Sequence, residues 1–174
     1  MSFRSSLLFA LLYTGCSSNN ASSGALGSDG GGTFPLPNCR PTPIQTGADP
    51  HRECVDRINQ FRSECQNLPP LARWQEGEAC ADQMAQYDAS KTGAHAGFVA
   101  GICNGGSAQN ECPNWPSPSA IVSSCLQQMW DEGPGASFQE HGHYINMSST
   151  QYSRVACGFY TTSSGKIWSV QNFQ

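Results

Sequence analysis

The sequence predicts an α+β domain of packed helices and strands, braced by disulfides and exported from the cytosol. Three observations carry this expectation. Apolar and cysteine residues recur at helical spacing over residues 54–65, 80–87 and 122–129. The period then shortens, and residues 155–161 and 167–173 read as strands. Nine cysteines in 174 residues would be unusual in a reducing compartment and form a structural framework in an oxidising one.

The chain opens with Arg4 and the apolar run Leu7-Leu8-Phe9-Ala10-Leu11-Leu12, too short to span a bilayer as a helix, so residues 1–15 read as a signal peptide. Tyr13-Thr14-Gly15-Cys16 resembles a bacterial lipoprotein processing box, in which Cys16 is acylated and becomes the new N-terminus. Ordinary signal cleavage, with Cys16 a stray thiol, is the alternative. On the first reading the protein is lipid-anchored in a bacterial cell envelope, with Ser17 compatible with an outer-membrane destination; on the second it is secreted. Residues 16–48 are rich in Ser, Asn, Gly and Pro and read as a disordered tether. The folded domain is then residues 49–174. Setting Cys16 aside leaves Cys39, Cys54, Cys65, Cys80, Cys103, Cys112, Cys125 and Cys157, an even set whose pairing the sequence leaves open.

Asp49-Pro50 is an N-cap followed by proline at the first helical position, and Cys54, Ile58, Phe61 and Cys65 then share one helical face. On a continuous helix those two cysteines stand about 16 Å apart and bond elsewhere; a break near Ser63 would reopen their pairing. Pro69-Pro70 forces an extended connection. A second helix follows with Cys80, Met84 and Tyr87 on one side, and a third runs from Ser117-Pro118 through Val122, Cys125, Leu126 and Met129 to Gly133-Pro134-Gly135. Ser163-Ser164-Gly165-Lys166 reads as a hairpin turn between the two strands, and Cys103 and Cys112 could close a local disulfide loop.

Hydrophobic residues make up 38% and charged residues 13%, with net charge −4 and no Lys/Arg run, which disfavours nucleic acid and a polybasic membrane patch. The chemistry candidates are few. His95, His141 and His143 lie in glycine-rich or turn-like sequence, and His141 and His143 alternate as on one face of a strand. Asp131 and Glu132 sit in a last helical turn, where the dipole opposes anions, so a cation or a protonated histidine is expected to compensate unless solvent does. Zinc motifs of the Cys-x-x-Cys or His-Glu-x-x-His type and a nucleophile elbow are absent.

Gly142-His143-Tyr144, Val155-Ala156-Cys157-Gly158-Phe159 and Trp168-Ser169-Val170-Gln171-Asn172-Phe173 together resemble the signature region of the CAP superfamily of cysteine-rich secretory proteins, venom allergens and pathogenesis-related proteins. Val55–Arg62, Leu68–Trp74 and Met129–Glu132 are similar to further family segments in the same order. The resemblance implies a three-layer α-β-α sandwich with a small antiparallel sheet, and a cleft of two histidines and two acids able to hold Zn2+ or another divalent cation. Carried over by position, it implies His95, Glu132 and His143 as the metal set. The fourth position falls on neutral Gln109, with Glu111 two residues on, and Gln109, Glu111, His141 and Tyr144 become cleft neighbours.

Three functions follow as expectations. The favoured one is an exported, tethered, monomeric binding domain whose cleft takes a divalent cation and a small lipid or peptide. The second is a hydrolase in which Glu132 activates water. The third is a purely structural polar cluster, with function in the loops over residues 97–118.

Overall fold

The computed structural model describes residues 35, 36 and 38–174; the signal peptide, Cys16 and the tether through residue 34 lie outside the described residues. Helix α1 (Pro50–Gln60) starts where Asp49 accepts the Arg52 N–H, and it continues as a π-helical turn over Phe61–Cys65. Strand β1 (Ala72–Arg73), helix α2 (Gln75–Lys91), short helix α3 (Ala96–Ala100) and strand β2 (Ala108–Trp115) follow. Next come α4 (Pro118–Ala120), a second π turn (Ile121–Cys125), α5 (Leu126–Asp131) and α6 (Phe138–Ser148). Strands β3 (Arg154–Thr161) and β4 (Ile167–Phe173) close the chain.

The sheet order is β1-β3-β4-β2. The β3–β4 and β4–β2 ladders form the expected antiparallel sheet, and the two-residue β1 edge adds to it parallel to β3. All seven residues of β4 are buried, so both faces of the sheet must be covered. Strand alternation divides them. Trp168 and Val170 join Ala156, Met84 and Ala85 under α2, while Ile167 and Phe173 join Val155, Cys157, Phe61, Leu126 and Met147 on the opposite face. This is the expected three-layer sandwich. At Gly158 a Cβ would fall inside the Ala81 backbone, so α2 can lie this close to β3 only over a glycine.

Four disulfides brace the layers: Cys39–Cys65, Cys54–Cys157, Cys80–Cys103 and Cys112–Cys125. Cys103 and Cys112 therefore do not close a local loop. The reason is geometric: Cys103 precedes β2 on the α2 side, whereas Cys112 lies within β2 and is buried in the opposite layer. Residues 38–48, assigned by composition to the tether, are tied to the domain. Cys39 bonds Cys65, buried Arg57 donates to the Pro41 carbonyl at 3.0 Å, and Gln60 donates to the Thr42 carbonyl at 2.8 Å. Composition could not show this, because the partners lie on α1. Among the described residues no helix is long and apolar enough to cross a membrane.

Two predictions follow from this frame. Cys54–Cys157 closes a separation of 103 residues, the longest of the four, so replacing both by alanine is expected to lower unfolding free energy by about 4 kcal/mol in chemical denaturation. His51 Nε2 lies 2.9 Å from Asp82 Oδ1, which also accepts the Phe159 N–H and so joins α1, α2 and β3. The hydrogen bond to Asp82 raises the His51 pKa, against a smaller opposing effect of burial. A raised folded-state pKa gives stability that is complete below the unfolded value, about 6.5, and is lost as pH rises through the folded value. His51→Ala is expected to flatten that part of the melting-temperature profile.

Candidate functional site

The site is built at one end of the sheet, where α6, β2 and the turn before α3 meet. Glu132 ends α5, and both of its carboxylate oxygens are engaged. Oε1 lies 2.5 Å from His143 Nδ1, and Oε2 accepts the backbone N–H groups of His143 at 3.0 Å and Tyr144 at 3.3 Å. The neighbouring acid is compensated as well: Asp131 accepts from Arg40 at 2.5 Å and from Gln127 at 2.9 Å. The unfavourable placement of acids at a helix C-terminus is thus met by named donors.

His141 and His143 do not lie on a strand; both belong to α6. Two residues apart on a helix they diverge by roughly 200°. His143 turns to the Glu132 carboxylate, while His141 Nδ1 contacts the Glu132 carbonyl at 2.7 Å and leaves the cleft. A Cβ at Gly135 would run into the His141 ring, so this approach requires glycine. The C-terminus of α6 is held by Arg62, which donates to the carbonyls of Met147 and Ser149 at 2.8 Å each. Asn110 of β2 completes the clamp: it donates to the His143 carbonyl at 3.0 Å and accepts from Asn146 at 2.8 Å.

His95 comes from the turn that precedes α3 and adopts φ 62°, a left-handed conformation that costs a non-glycine residue about 1–3 kcal/mol. It is held from two sides. The His95 N–H donates to Glu111 Oε1 at 2.8 Å, and the Gly97 N–H donates to Asp88 Oδ1 at 2.6 Å. His95 Nδ1 lies 2.9 Å from Gln109 Oε1. Gln109 is oriented in turn by Asn172, whose Oδ1 accepts from Gln109 Nε2 at 2.9 Å. Burial, reinforced by a hydrogen bond with Asp88 and opposed by the His95 N–H, pushes the Glu111 carboxyl up to about 9.

His95, Gln109, Asn110, Glu132, Phe138 and His143 line one cleft of about 220 Å³. The remaining expected neighbours stand outside its lining. Glu111 lies behind His95, His141 caps α5, and Tyr144 packs on Trp130 at 4.7 Å and accepts from Gln66 at 2.5 Å. Among the described residues no group of three or more His, Cys, Asp or Glu is arranged to hold a metal ion. The donor chemistry agrees. Glu132 is spent on His143 and two backbone N–H groups, and the counterpart acid is the neutral Gln109, already bonded to His95. The residues present do not fit the expected three-ligand cation set. They form two oriented imidazoles, each held at Nδ1 and with Nε2 unclaimed.

Sequence reasoning missed Asp88, Asn110, Asn146 and Asn172. Asp88 carried a signal, because it falls on the same helical face as Ala81, Met84 and Ala85, a spacing otherwise reserved for core residues. Gln109→Ala is expected to orphan the buried Asn172 Oδ1 and to destabilise the domain by about 1–3 kcal/mol in chemical denaturation.

The family profile described as CAP, cysteine-rich secretory protein family, matches residues 55–173. No curated protein matches the sequence. The solved structure of BmVAL-1 is similar in fold, with TM-score 0.50 and 15% identity over 78% of this chain and 81% of that chain. The match reaches from the middle of α1 to the end of β4 and contains both histidines of the cleft, so the chain belongs to the CAP, cysteine-rich secretory protein, family.

Proposed function

We propose that this CAP domain is an extracellular binding module whose cleft recognises a small lipid with a hydrogen-bond-donating head group. The observation that carries this reading is the continuity of two spaces. His95, Gln109, Phe138 and Asn146 line both the imidazole cleft and an adjoining groove of about 330 Å³, whose other walls include Phe98, Ala108 and Tyr152. One side of the joint surface is thus apolar and the other carries two acceptor nitrogens. With Nδ1 held by Gln109 or Glu132, each imidazole keeps Nε2 for a ligand, and in the neutral ring that nitrogen is an acceptor suited to a hydroxyl or amide head group. Phe138 is 60% exposed at the junction, where an acyl chain would cover it. Four disulfides and the family membership support work outside the cytosol. Anchorage through an acylated Cys16 would place the domain at a membrane surface, where such lipids are found.

The hydrolase reading is less supported. Both Glu132 oxygens already accept hydrogen bonds, Oε1 at His143 Nδ1 and Oε2 from two backbone N–H groups, and the imidazole cleft is lined by no serine, threonine or cysteine, Ser107 belonging to the adjoining groove. Calorimetric titration with a short monoacylglycerol tests the proposal. Binding is expected for the wild type, with a loss of about tenfold or more in both His143→Ala and Phe138→Ala, corresponding to about 1.4 kcal/mol or more. Equal affinities in all three proteins would overturn it, as would stoichiometric zinc uptake that depends on His143.

A further inference from the structure

We propose that the cavity between residues 35, 36 and 38–40 and the turn after α5 is a second ligand site, and that it takes a compact aromatic carboxylate. The cavity shares no lining residue with the imidazole cleft or its groove. Its outer wall precedes residues 55–173, which carry the family match, so the cavity is completed by this chain's own N-terminal segment.

That wall is fixed. Cys39 is bonded to Cys65, the Leu36 N–H donates to the Cys65 carbonyl at 2.9 Å, and buried Gln127 donates to the Cys39 carbonyl at 3.3 Å. Opposite it, Gly133 takes φ 66° and Pro134 follows, which ends α5 and turns the chain away. The space left between the two walls is about 370 Å³. Small-molecule sites run from about 300 to about 1,000 Å³, so this one suits a body of about one ring. The floor is Trp130 and Tyr144, which are 4% and 5% exposed. Tyr144 is held at both ends: its backbone N–H donates to Glu132 Oε2, and its hydroxyl accepts from Gln66.

The polar groups left over at this floor and rim are donors. Because the Tyr144 hydroxyl accepts from Gln66, its O–H remains to be donated, and among the described residues nothing accepts it. Arg40 spends one guanidinium nitrogen on Asp131, 2.5 Å away, and keeps its other N–H groups. Asp131 is spent on both oxygens, Oδ2 on Arg40 and Oδ1 on Gln127. A carboxylate answers such a set, since its two oxygens match the guanidinium fork. The rest of the ligand is set by the walls. Pro35, Leu36, Pro134 and the Cys39 sulfur are apolar. Trp130 is stacked on Phe61 at 5.2 Å and packed by Tyr144 at 4.7 Å, so it offers the cavity a ring edge and not a face. Ring edges carry the positive side of the aromatic quadrupole and favour the face of another ring. One aromatic ring bearing a carboxylate meets both conditions.

Indole-resolved NMR of the full chain tests this, with phenylacetate as the probe. Titration is expected to move the Trp130 indole N–H resonance to saturation, with a dissociation constant of about 1 mM or tighter. Arg40→Gln and Tyr144→Phe each remove a donor and should weaken binding about tenfold. The Arg40 side chain is 67% exposed, so Arg40→Gln keeps the fold and serves if Tyr144→Phe does not. Acetate lacks the ring and octanoate replaces it with a chain, and each should bind about tenfold more weakly than phenylacetate or worse. The absence of a saturable shift at Trp130 would overturn the proposal, as would equal affinity in the wild type and Arg40→Gln. Acetate bound as tightly as phenylacetate would reduce the site to an anion contact, and octanoate bound as tightly would make it an acyl site; either result overturns the aromatic carboxylate.

Discussion

The covering of β4 on both faces is the constraint on which the rest of the structure depends. A strand with seven consecutive buried residues, Ile167–Phe173, leaves its polar members without water, so Ser169, Gln171 and Asn172 must find partners inside the protein. Gln171 donates to Ser169, and Asn172 accepts from Gln109. That second bond fixes the side of Gln109 that meets His95. A requirement of the core is thereby converted into the aim of a cleft side chain.

The same economy of partners recurs across the site. Glu132 gathers α5 and α6 by taking the ring and the backbone N–H of His143 together with the N–H of Tyr144. Asn110 and Asn146 join β2 to α6, and Arg62 closes the end of α6 through its last carbonyls. Each imidazole is set by a partner that is itself held. Rigid placement of this kind lowers the ordering cost of engaging a ligand.

The departure at Gln109 matters in this light. A second acid there would stand on the same face of β2 as Glu111, two residues away, in a layer that already holds Asp88. A neutral amide avoids a third buried carboxyl and still directs His95. It also leaves the two histidines backed by chemically different partners, an amide for His95 and a carboxylate for His143. The cleft is therefore asymmetric, and the apolar groove adjoins it on the His95 side.

What the sequence determined by itself was the local and periodic part. The N-cap and proline at Asp49-Pro50, the helical faces of α1 and α5, the β3–β4 hairpin with its turn at Gly165, and an even set of cysteines follow from near-neighbour stereochemistry. The family signature extended this to the layer order and to a shared cleft for His95, Glu132 and His143. Only the tertiary structure decided the rest. Which cysteines pair, whether His141 and His143 ride a strand or a helix, that residues 38–48 are tied down, and that Glu111 and Asp88 hold the His95 and Gly97 N–H groups all depend on groups far apart in sequence. The physical reason is that a buried polar atom is placed by the partner that satisfies it, and that partner is chosen by how the layers close.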